Sequence, residues 1–517
     1  MTIRPFQRLR TLALVTAALL SGAAQALAAD LRVSLASDPA MIDPITYSEL
    51  IANQVISNMY EPLAAVGANG SVVPALAERW EPLDGNKGVR FHLRKGVKFH
   101  SGREMKAADV KFSFEQLLIP QNRGGLNSTY LNIVQGADKV KDGSTTELSG
   151  VTIVDDYTVE IHFIQPDVLF PVYPIYIMDS GIVAEAGPDW FNKVSAGTGP
   201  FAFAEWRRGQ DITLTAHKNY WGGALTLDGV KFLVVPSSDT ALSMFETGDL
   251  DLMTVGDDLI RRVRGDEALK ERTLTAPRAQ VRYLAMNSKL YEPFKDAKVR
   301  EAICLSIDQQ AMIDGLYSGA AVPLYGQTVE GVGGYNPDIA KFAYDPEKAK
   351  AALAASAYAG GLPPFKLSAL ESSKNQHLYL ASQFADILNW TVEVEIVERG
   401  TFLKSINSQQ TGFFAFGWTA DYLDAMNFLE QLWTSDSPYN RGWSNPAFDA
   451  LIAKAKVTAD DQARYAIYHE AEKLLMADWG TCPLPVSIQM MLVGKGVKGV
   501  ALAPTGVLPF GAVSKAD

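Results

Sequence analysis

Val230-Lys231-Phe232-Leu233-Val234-Val235 is an apolar run interrupted by a single lysine, and Pro236-Ser237-Ser238-Asp239 follows it. Its length and β-branched content predict a buried strand. Serine and aspartate accept hydrogen bonds from the free N–H groups at a helix start, and glycine suits a helix end. Ser237 to Asp239 and Gly248 therefore bracket a predicted helix through Thr247. Asp249-Leu250-Asp251-Leu252-Met253 returns as a second strand. Strand, helix and strand in this order form a βαβ unit, with parallel strands and a right-handed crossover. That unit sets the fold class as α/β.

Upstream, Leu31-Arg32-Val33-Ser34-Leu35 alternates as a first strand, Asp43-Pro44 turns the chain, and Ile51 to Tyr60 has helical spacing. Val89, Phe91 and Leu93 alternate with Arg90, His92 and Arg94. Val97 and Phe99 resume the alternation after Lys95-Gly96, which reads as a hairpin with His92 and His100 on its wet face. Ala107 to Leu118 is an amphipathic helix. Two more hairpins are expected, Val151–Val154 with Thr158–Phe163, and Phe201–Trp206 with Asp211–Ala216. Downstream, Val281 to Met286 is a strand. Helices and strands then alternate through Val299–Ile307, Tyr379–Leu388, Val392–Val397, Gly412–Phe416, Phe448–Lys456 and Arg464–Met476. Both halves are mixed α/β, with no internal repeat and no low-complexity linker.

A chain of 517 residues suggests two to four domains. Its formal net charge of -11 argues against a nucleic-acid partner, which needs basic patches. Arg4, Arg8 and Arg10 precede the apolar run Leu12 to Leu20, and Ala24-Gln25-Ala26 and Ala26-Leu27-Ala28 offer small-residue cleavage sites. This is the pattern of a secretory signal peptide over residues 1–29. With no cysteine near the cleavage point, a lipid anchor has no acceptor. Export into an oxidising compartment permits a bridge between Cys304 and Cys482, the only cysteines. Cys304 lies in a helix-like run and Cys482 beside Pro483, so both are expected as free, buried small hydrophobes. Two cysteines and six histidines without ligand spacing give no metal site, and no cofactor is expected.

Gly417-Trp418-Thr419-Ala420-Asp421-Tyr422-Leu423-Asp424-Ala425-Met426-Asn427-Phe428 is the chemically richest stretch. It follows the short apolar strand Gly412 to Phe416, and a loop at the end of a buried strand suits a binding site. A polar turn beside a core strand is the plainer reading. Asp421 and Asp424 also allow a carboxylate pair for acid/base hydrolysis. Gly494-Lys495-Gly496-Val497-Lys498-Gly499 fits a dinucleotide fingerprint, but no capped helix follows it. Asn127-Ser128-Thr129 matches a glycosylation acceptor. Neither G-x-S-x-G nor H-E-x-x-H occurs.

Several stretches together resemble the peptide- and nickel-type solute-binding proteins of ABC importers. They are Tyr60-Glu61-Pro62-Leu63, Val73-Pro74-Ala75-Leu76-Ala77-Glu78 with Trp80, Phe91 to His100, Gly197-Thr198-Gly199-Pro200-Phe201, Tyr220-Trp221-Gly222-Gly223 and the Gly417 stretch. The resemblance implies a two-lobed periplasmic-binding-protein fold that closes like a flytrap, with an inserted domain. It places lobe I at 30–69, 190–287 and 488–517, the inserted domain at 70–189 and lobe II at 288–487. The hinge falls at Met286-Asn287 and Ser487-Ile488. It implies a monomeric, non-enzymatic periplasmic protein delivering a peptide to a membrane permease. Asp421 would hold the ligand's α-ammonium, with Trp418 as an apolar wall and Thr419 beside them. Tyr47, Ser48, Glu49, Leu50, Tyr130, His377 and Arg399 are further contact candidates. Asp424-Ala425-Met426-Asn427-Phe428 departs from the commoner D-P-D-N-F ending. Chelated nickel, a glycan or an opine is the alternative cargo, and a secreted hydrolase the alternative class.

Overall fold

The computed structural model of the chain describes residues 30–516, apart from Ser48, 67–71, 123–125 and 342–343; the expected signal peptide therefore lies outside the described residues. Strand β1 (Asp30–Leu35) buries Leu31, Val33 and Leu35, as its alternation requires. Helix α1 (Leu50–Ile56) follows. The next segment builds a separate four-stranded sheet from β2 (Ala77–Leu83), β3 (Gly88–Leu93), β4 (Val151–Asp155) and β5 (Thr158–His162), with helix α2 (Ala107–Leu118) packed against it. The antiparallel order is β2-β3-β5-β4.

The expected hairpin of Val89–Leu93 with Val97–Phe99 does not form. β3 is central and pairs with β2 and β5, while Lys98 bridges only Glu104. Period-two alternation marks a strand without naming its partner.

The chain then lays down β6 (Phe201–Arg207), β7 (Asp211–Ala216), β8 (Gly229–Val234), helix α3 (Ser238–Thr247), β9 (Leu252–Thr254) and β10 (Thr273–Ala276). Ser237 caps α3 by accepting from the Thr240 N–H at 3.3 Å, and Gly248 ends it at φ 86°. β8 and β9 both run parallel to β1 and flank it, so the βαβ unit spans one intervening strand.

After Pro277-Arg278-Ala279 come β11 (Gln280–Met286), α4 (Ala297–Leu305), β12 (Phe365–Ala369), α5 (Lys374–Leu388), β13 (Val392–Ile396), α6 (Arg399–Asn407) and β14 (Phe413–Thr419). Helices α7 (Met426–Trp433), α8 (Pro446–Lys456) and α9 (Asp461–Ala477) lead to β15 (Cys482–Pro483) and β16 (Gln489–Val493). The first sheet has seven strands in the order β10-β16-β9-β1-β8-β7-β6. The second has five, ordered β13-β12-β14-β11-β15.

Two expectations are corrected here. β11, placed with the first lobe from sequence, sits between β14 and β15 in the second sheet. Both its faces are covered, with Val281, Tyr283 and Ala285 buried on one side and Leu284 and Met286 on the other. The chain therefore passes from the first sheet to the second at 277–279, not after Met286. Cys304 and Cys482 are not free: they form a disulfide with Cα atoms 5.2 Å apart. The 178-residue separation hides this contact, which arises because α4 packs on β15.

The stretches around Glu61 that carry the family resemblance meet where the four-stranded sheet joins the first lobe. Glu61 accepts from Thr198 Oγ1 at 2.8 Å, Tyr220 Oη at 2.8 Å and Trp221 Nε1 at 2.7 Å. The Arg94 guanidinium lies 4.7 Å over the Trp221 ring. Gly197 has no room for a side chain, since a Cβ would stand 1.9 Å from the Met59 carbonyl oxygen. His100, expected on a wet face, is instead held between Ser195 Oγ at 2.7 Å and the Gly199 carbonyl at 3.0 Å. Burial pushes its imidazole down to about 4.

Candidate ligand-binding site

Strands β1, β8 and β9 are parallel, as are β12, β13 and β14. In open α/β sheets ligands bind beyond the carboxyl ends of such strands. β10 is antiparallel to β16 and so runs with β9, while β11 is antiparallel to β14. The 277–279 passage thus leaves the carboxyl edge of the first sheet and enters at the carboxyl edge of the second. Asp421 lies two residues beyond β14, on that edge. A recess of about 270 Å³ opens on the same edge, lined by Leu370, Glu371, Ile396, Val397 and Arg399 among others.

Asn427 shapes the Asp421 loop. Its Oδ1 accepts from Trp418 Nε1 at 2.9 Å and from the Asp421 N–H at 3.2 Å, tying the strand end to the first turn of α7. Asp424 Oδ1 accepts from the Met426 N–H at 2.9 Å, and its Oδ2 pairs with the Arg464 guanidinium at 3.2 Å. Both members of that pair are buried. Asp424 therefore holds the loop to α9.

Asp421 is completed differently. Tyr130 Oη donates to its Oδ2 at 2.7 Å across 291 residues of sequence. Burial pushes its carboxyl above the ordinary value, against the hydrogen bond from Tyr130. Among the described residues no cation pairs with it. Aromatic rings surround the group. Tyr173 stacks on Tyr130 at 4.7 Å, Tyr422 meets Tyr173 at 5.4 Å, and Tyr439 meets Trp418 edge-on at 4.9 Å. Tyr47 shares hydrogen bonds with Asn127 and Tyr176. Burial and the nearby Asp421 charge hold the Tyr47, Tyr130 and Tyr439 hydroxyls above their ordinary value.

The sequence candidates thus divide. Asp421, Trp418, Tyr47 and Tyr130 converge. Thr419 adjoins them and accepts from Gln280 Nε2 at 3.1 Å. Glu49 and Arg399 meet each other at 3.4 Å, joining the start of α1 to the start of α6. One guanidinium nitrogen of Arg399 is therefore engaged by a residue of the chain. Leu50 is half-exposed beside Gly506, and Ser48 lies outside the described residues. His377 is corrected. It is fully buried, its Nδ1 bonds the Ser373 carbonyl at 2.8 Å, and its Nε2 accepts from the Ala415 N–H at 3.2 Å. Both ring nitrogens are used, so it packs α5 onto β14. Sequence reading missed Tyr173, Tyr176 and Tyr439 as walls and placed Tyr422 only within the loop itself. The only signal was the surplus of 19 tyrosines.

Residues 71–440 match the family model of bacterial extracellular solute-binding proteins, family 5. The chain belongs to this family. It is 29% identical to heme-binding protein A of Haemophilus influenzae over 512 residues, covering 93% of this chain and 91% of that protein. It is 28% identical to the dipeptide-binding protein of Escherichia coli, covering 86% of each. The periplasmic binding protein DppA of Helicobacter pylori, solved with the peptide STSA, superposes with a TM-score of 0.80 at 25% identity, over 94% of this chain and 98% of that one. The fold is accordingly the two-lobed α/β fold of this family, with the four-stranded sheet as its additional domain, and the protein is a solute-binding component of the transport type. Among the described residues no helix is long and apolar enough to cross a membrane.

Proposed function

We propose that this chain captures a peptide between its lobes, binds the peptide's α-ammonium at Asp421, and delivers it to an ABC permease in the inner membrane. The observation that carries the reading is a half-buried carboxylate, walled by aromatic rings, with no cation of the described chain beside it. Such a group is costly unless a partner supplies the opposite charge. An ammonium at 4 Å contributes ~4 kcal/mol at an effective dielectric near 20, and the aromatic faces favour a cation further. Peptide-binding relatives support this cargo. A haem or bile-acid ligand brings carboxylates, which Asp421 repels. The hydrolase alternative loses support because Asp424 is committed to Arg464.

Tyr47, Tyr130, Trp418 and Thr419 complete the contact set, and the Glu49–Arg399 pair closes the mouth. Lobe I comprises 30–69, 190–276 and 488–517, the inserted domain 70–189, and lobe II 280–487, with hinges at 277–279 and Ser487-Ile488. The mature protein is a monomer in the periplasm after cleavage of the signal peptide, without a lipid anchor, and it turns nothing over. Mass spectrometry of ligands released by denaturing the purified protein tests the cargo. Recovery of peptides is expected, and recovery of only non-peptide solutes would overturn the reading.

A further inference from the structure

The inserted domain touches lobe II although no stretch of chain joins the two directly. Both its ends run into lobe I. It is fastened there by the Glu61 cluster, by Tyr176 Oη donating to Asn53 Oδ1 at 2.8 Å, and by the Asp179 N–H donating to the Ala196 carbonyl at 2.8 Å. The inserted domain therefore rides with lobe I. What it shares with lobe II is made and broken as the lobes move.

Besides the Tyr130–Asp421 bond, one such contact carries charge. The Val168 N–H donates to the carbonyl of Lys456, the last residue of α8, at 3.2 Å. Asp167, next to Val168, is buried. Its carboxylate is held from within its own domain, accepting from the Leu169 N–H at 2.7 Å and from Tyr173 Oη at 3.0 Å. Both donors are neutral. Across the contact, the Lys456 ammonium pairs with Glu430 of α7, and each of these side chains is 22% exposed. Burial pushes the Asp167 carboxyl above its ordinary value. The Lys456 charge is the strongest influence against that rise, and the Glu430 charge adds to it. Burial pulls the Lys456 ammonium down, but Glu430, then Asp167 and Asp436, hold it above its ordinary value.

One cation thus serves two acids, one on each side of a moving contact. In an open molecule Lys456 keeps Glu430, and Asp167 returns towards water. Closing without the lysine would bring two carboxylates together in a desolvated place, which is costly.

We propose that Lys456 is a positioning residue for solute capture: it joins Asp167 of the inserted domain to Glu430 of lobe II, holds the cleft closed, and so sets how long a captured solute stays. It acts through the closed arrangement rather than through the solute. The proposal rests on the two closing lobes described above, and on the peptide reading only for its probe.

Stopped-flow kinetics test it, with the tightest binder from a defined panel of di- to tetrapeptides. The proteins are the wild type, Lys456→Gln, Lys456→Arg, Asp167→Asn and the double variant of Lys456→Gln with Asp167→Asn. Lys456→Gln should weaken binding about 10- to 100-fold, short of the loss for a fully buried pair because the lysine is half-buried. The change should lie in dissociation, with association within about threefold of the wild type. Lys456→Arg keeps the charge and should bind within about threefold of the wild type. The double variant should recover to within about threefold of Asp167→Asn alone, because the two side chains share one interaction. A partly unfolded variant loses sites but does not change the dissociation rate of those that remain. Binding by Lys456→Gln within about threefold of the wild type overturns the proposal. A loss that Asp167→Asn does not relieve confines the effect to Lys456 and Glu430 within lobe II, and overturns it as well. A panel from which nothing binds overturns the peptide reading alone. Solution scattering of the ligand-free proteins then decides: Lys456→Gln should be more open than the wild type and the double variant should not, and identical scattering overturns the latch.

Discussion

Glu61 and Asp421 are both half-buried carboxylates pushed above their ordinary value by desolvation, and they are completed in opposite ways. Glu61 gathers three donors from the chain itself, with the Arg94 charge nearby. Asp421 gathers one neutral tyrosine hydroxyl and aromatic walls. The stretches that make the family legible in the sequence, around Glu61, Gly197 and Trp221, fasten the inserted domain to the first lobe. The stretch that leaves a charge open is the one that points to a ligand. What separates structure from function here is whether the chain supplies all the partners.

The sharpest way to break that contrast is to remove each acid. Asp421→Asn should weaken peptide binding about 1,000-fold, the equivalent of ~4 kcal/mol, in a protein that melts like the wild type. Glu61→Ala leaves three donors, one buried and two half-buried, without an acceptor, at about 1–3 kcal/mol for a buried one. Its urea midpoint should fall by the equivalent of roughly 3 kcal/mol or more, with the dissociation constant of the folded protein within threefold of wild type. If instead Glu61→Ala loses the ligand at normal stability, the contrast fails. The disulfide sets a scale for a lesion of the Glu61 kind. Cys304→Ser with Cys482→Ser should cost roughly 2–4 kcal/mol of stability and leave affinity unchanged.

The two regions should also separate by pH. Asp421 must be ionised to hold an ammonium, so affinity should fall as pH drops through its raised value. It should fall again above about pH 8, where a peptide α-amino group loses its proton. Stability has other titrating groups. Glu61 is raised in the folded state, so its contribution is present below the unfolded value and lost as pH rises through the folded one. His100 is depressed from 6.5 to about 4, so its contribution is present above 6.5 and lost as pH falls from 6.5 towards 4. Urea midpoints from pH 4 to 7 should therefore flatten in Glu61→Gln and His100→Gln, while the binding profile moves only with Asp421.

Much of the fold was legible because strand alternation and helix caps are local. The βαβ unit around α3 and the hairpins β4–β5 and β6–β7 formed where period and turn residues placed them. The pairing of β3, the sheet that received β11 and the disulfide were not legible, because each depends on segments distant in the chain. At the site, Asp421 and Trp418 were visible as an odd loop. Tyr173 and Tyr176 reach it from the inserted domain, so nothing near them in sequence announced a ligand. His377 went wrong for a related reason. A lone histidine on a helix satisfies both nitrogens with backbone as readily as with a ligand, and only the neighbouring strand decides.

Glu49 and Arg399 give the smallest expected effect and the finest test of the contrast. Like the Glu61 cluster, they are partners supplied by the chain; like Asp421, they stand at the cleft. The Arg399 side chain is 62% exposed and the Glu49 side chain 28%. Exposed pairs of this kind contribute about 0.2–1 kcal/mol and weaken with salt. Because the pair joins elements of opposite lobes, its contribution belongs to the closed arrangement and should appear in ligand affinity rather than in the melting of either lobe. Arg399→Gln and Glu49→Gln should each weaken binding less than about fivefold. The double variant should be no worse than either single one, and the difference from wild type should shrink between low salt and 0.5 M salt. An Arg399→Gln loss as large as that of Asp421→Asn, unaffected by Glu49→Gln, would mean that the guanidinium leaves Glu49 for the ligand.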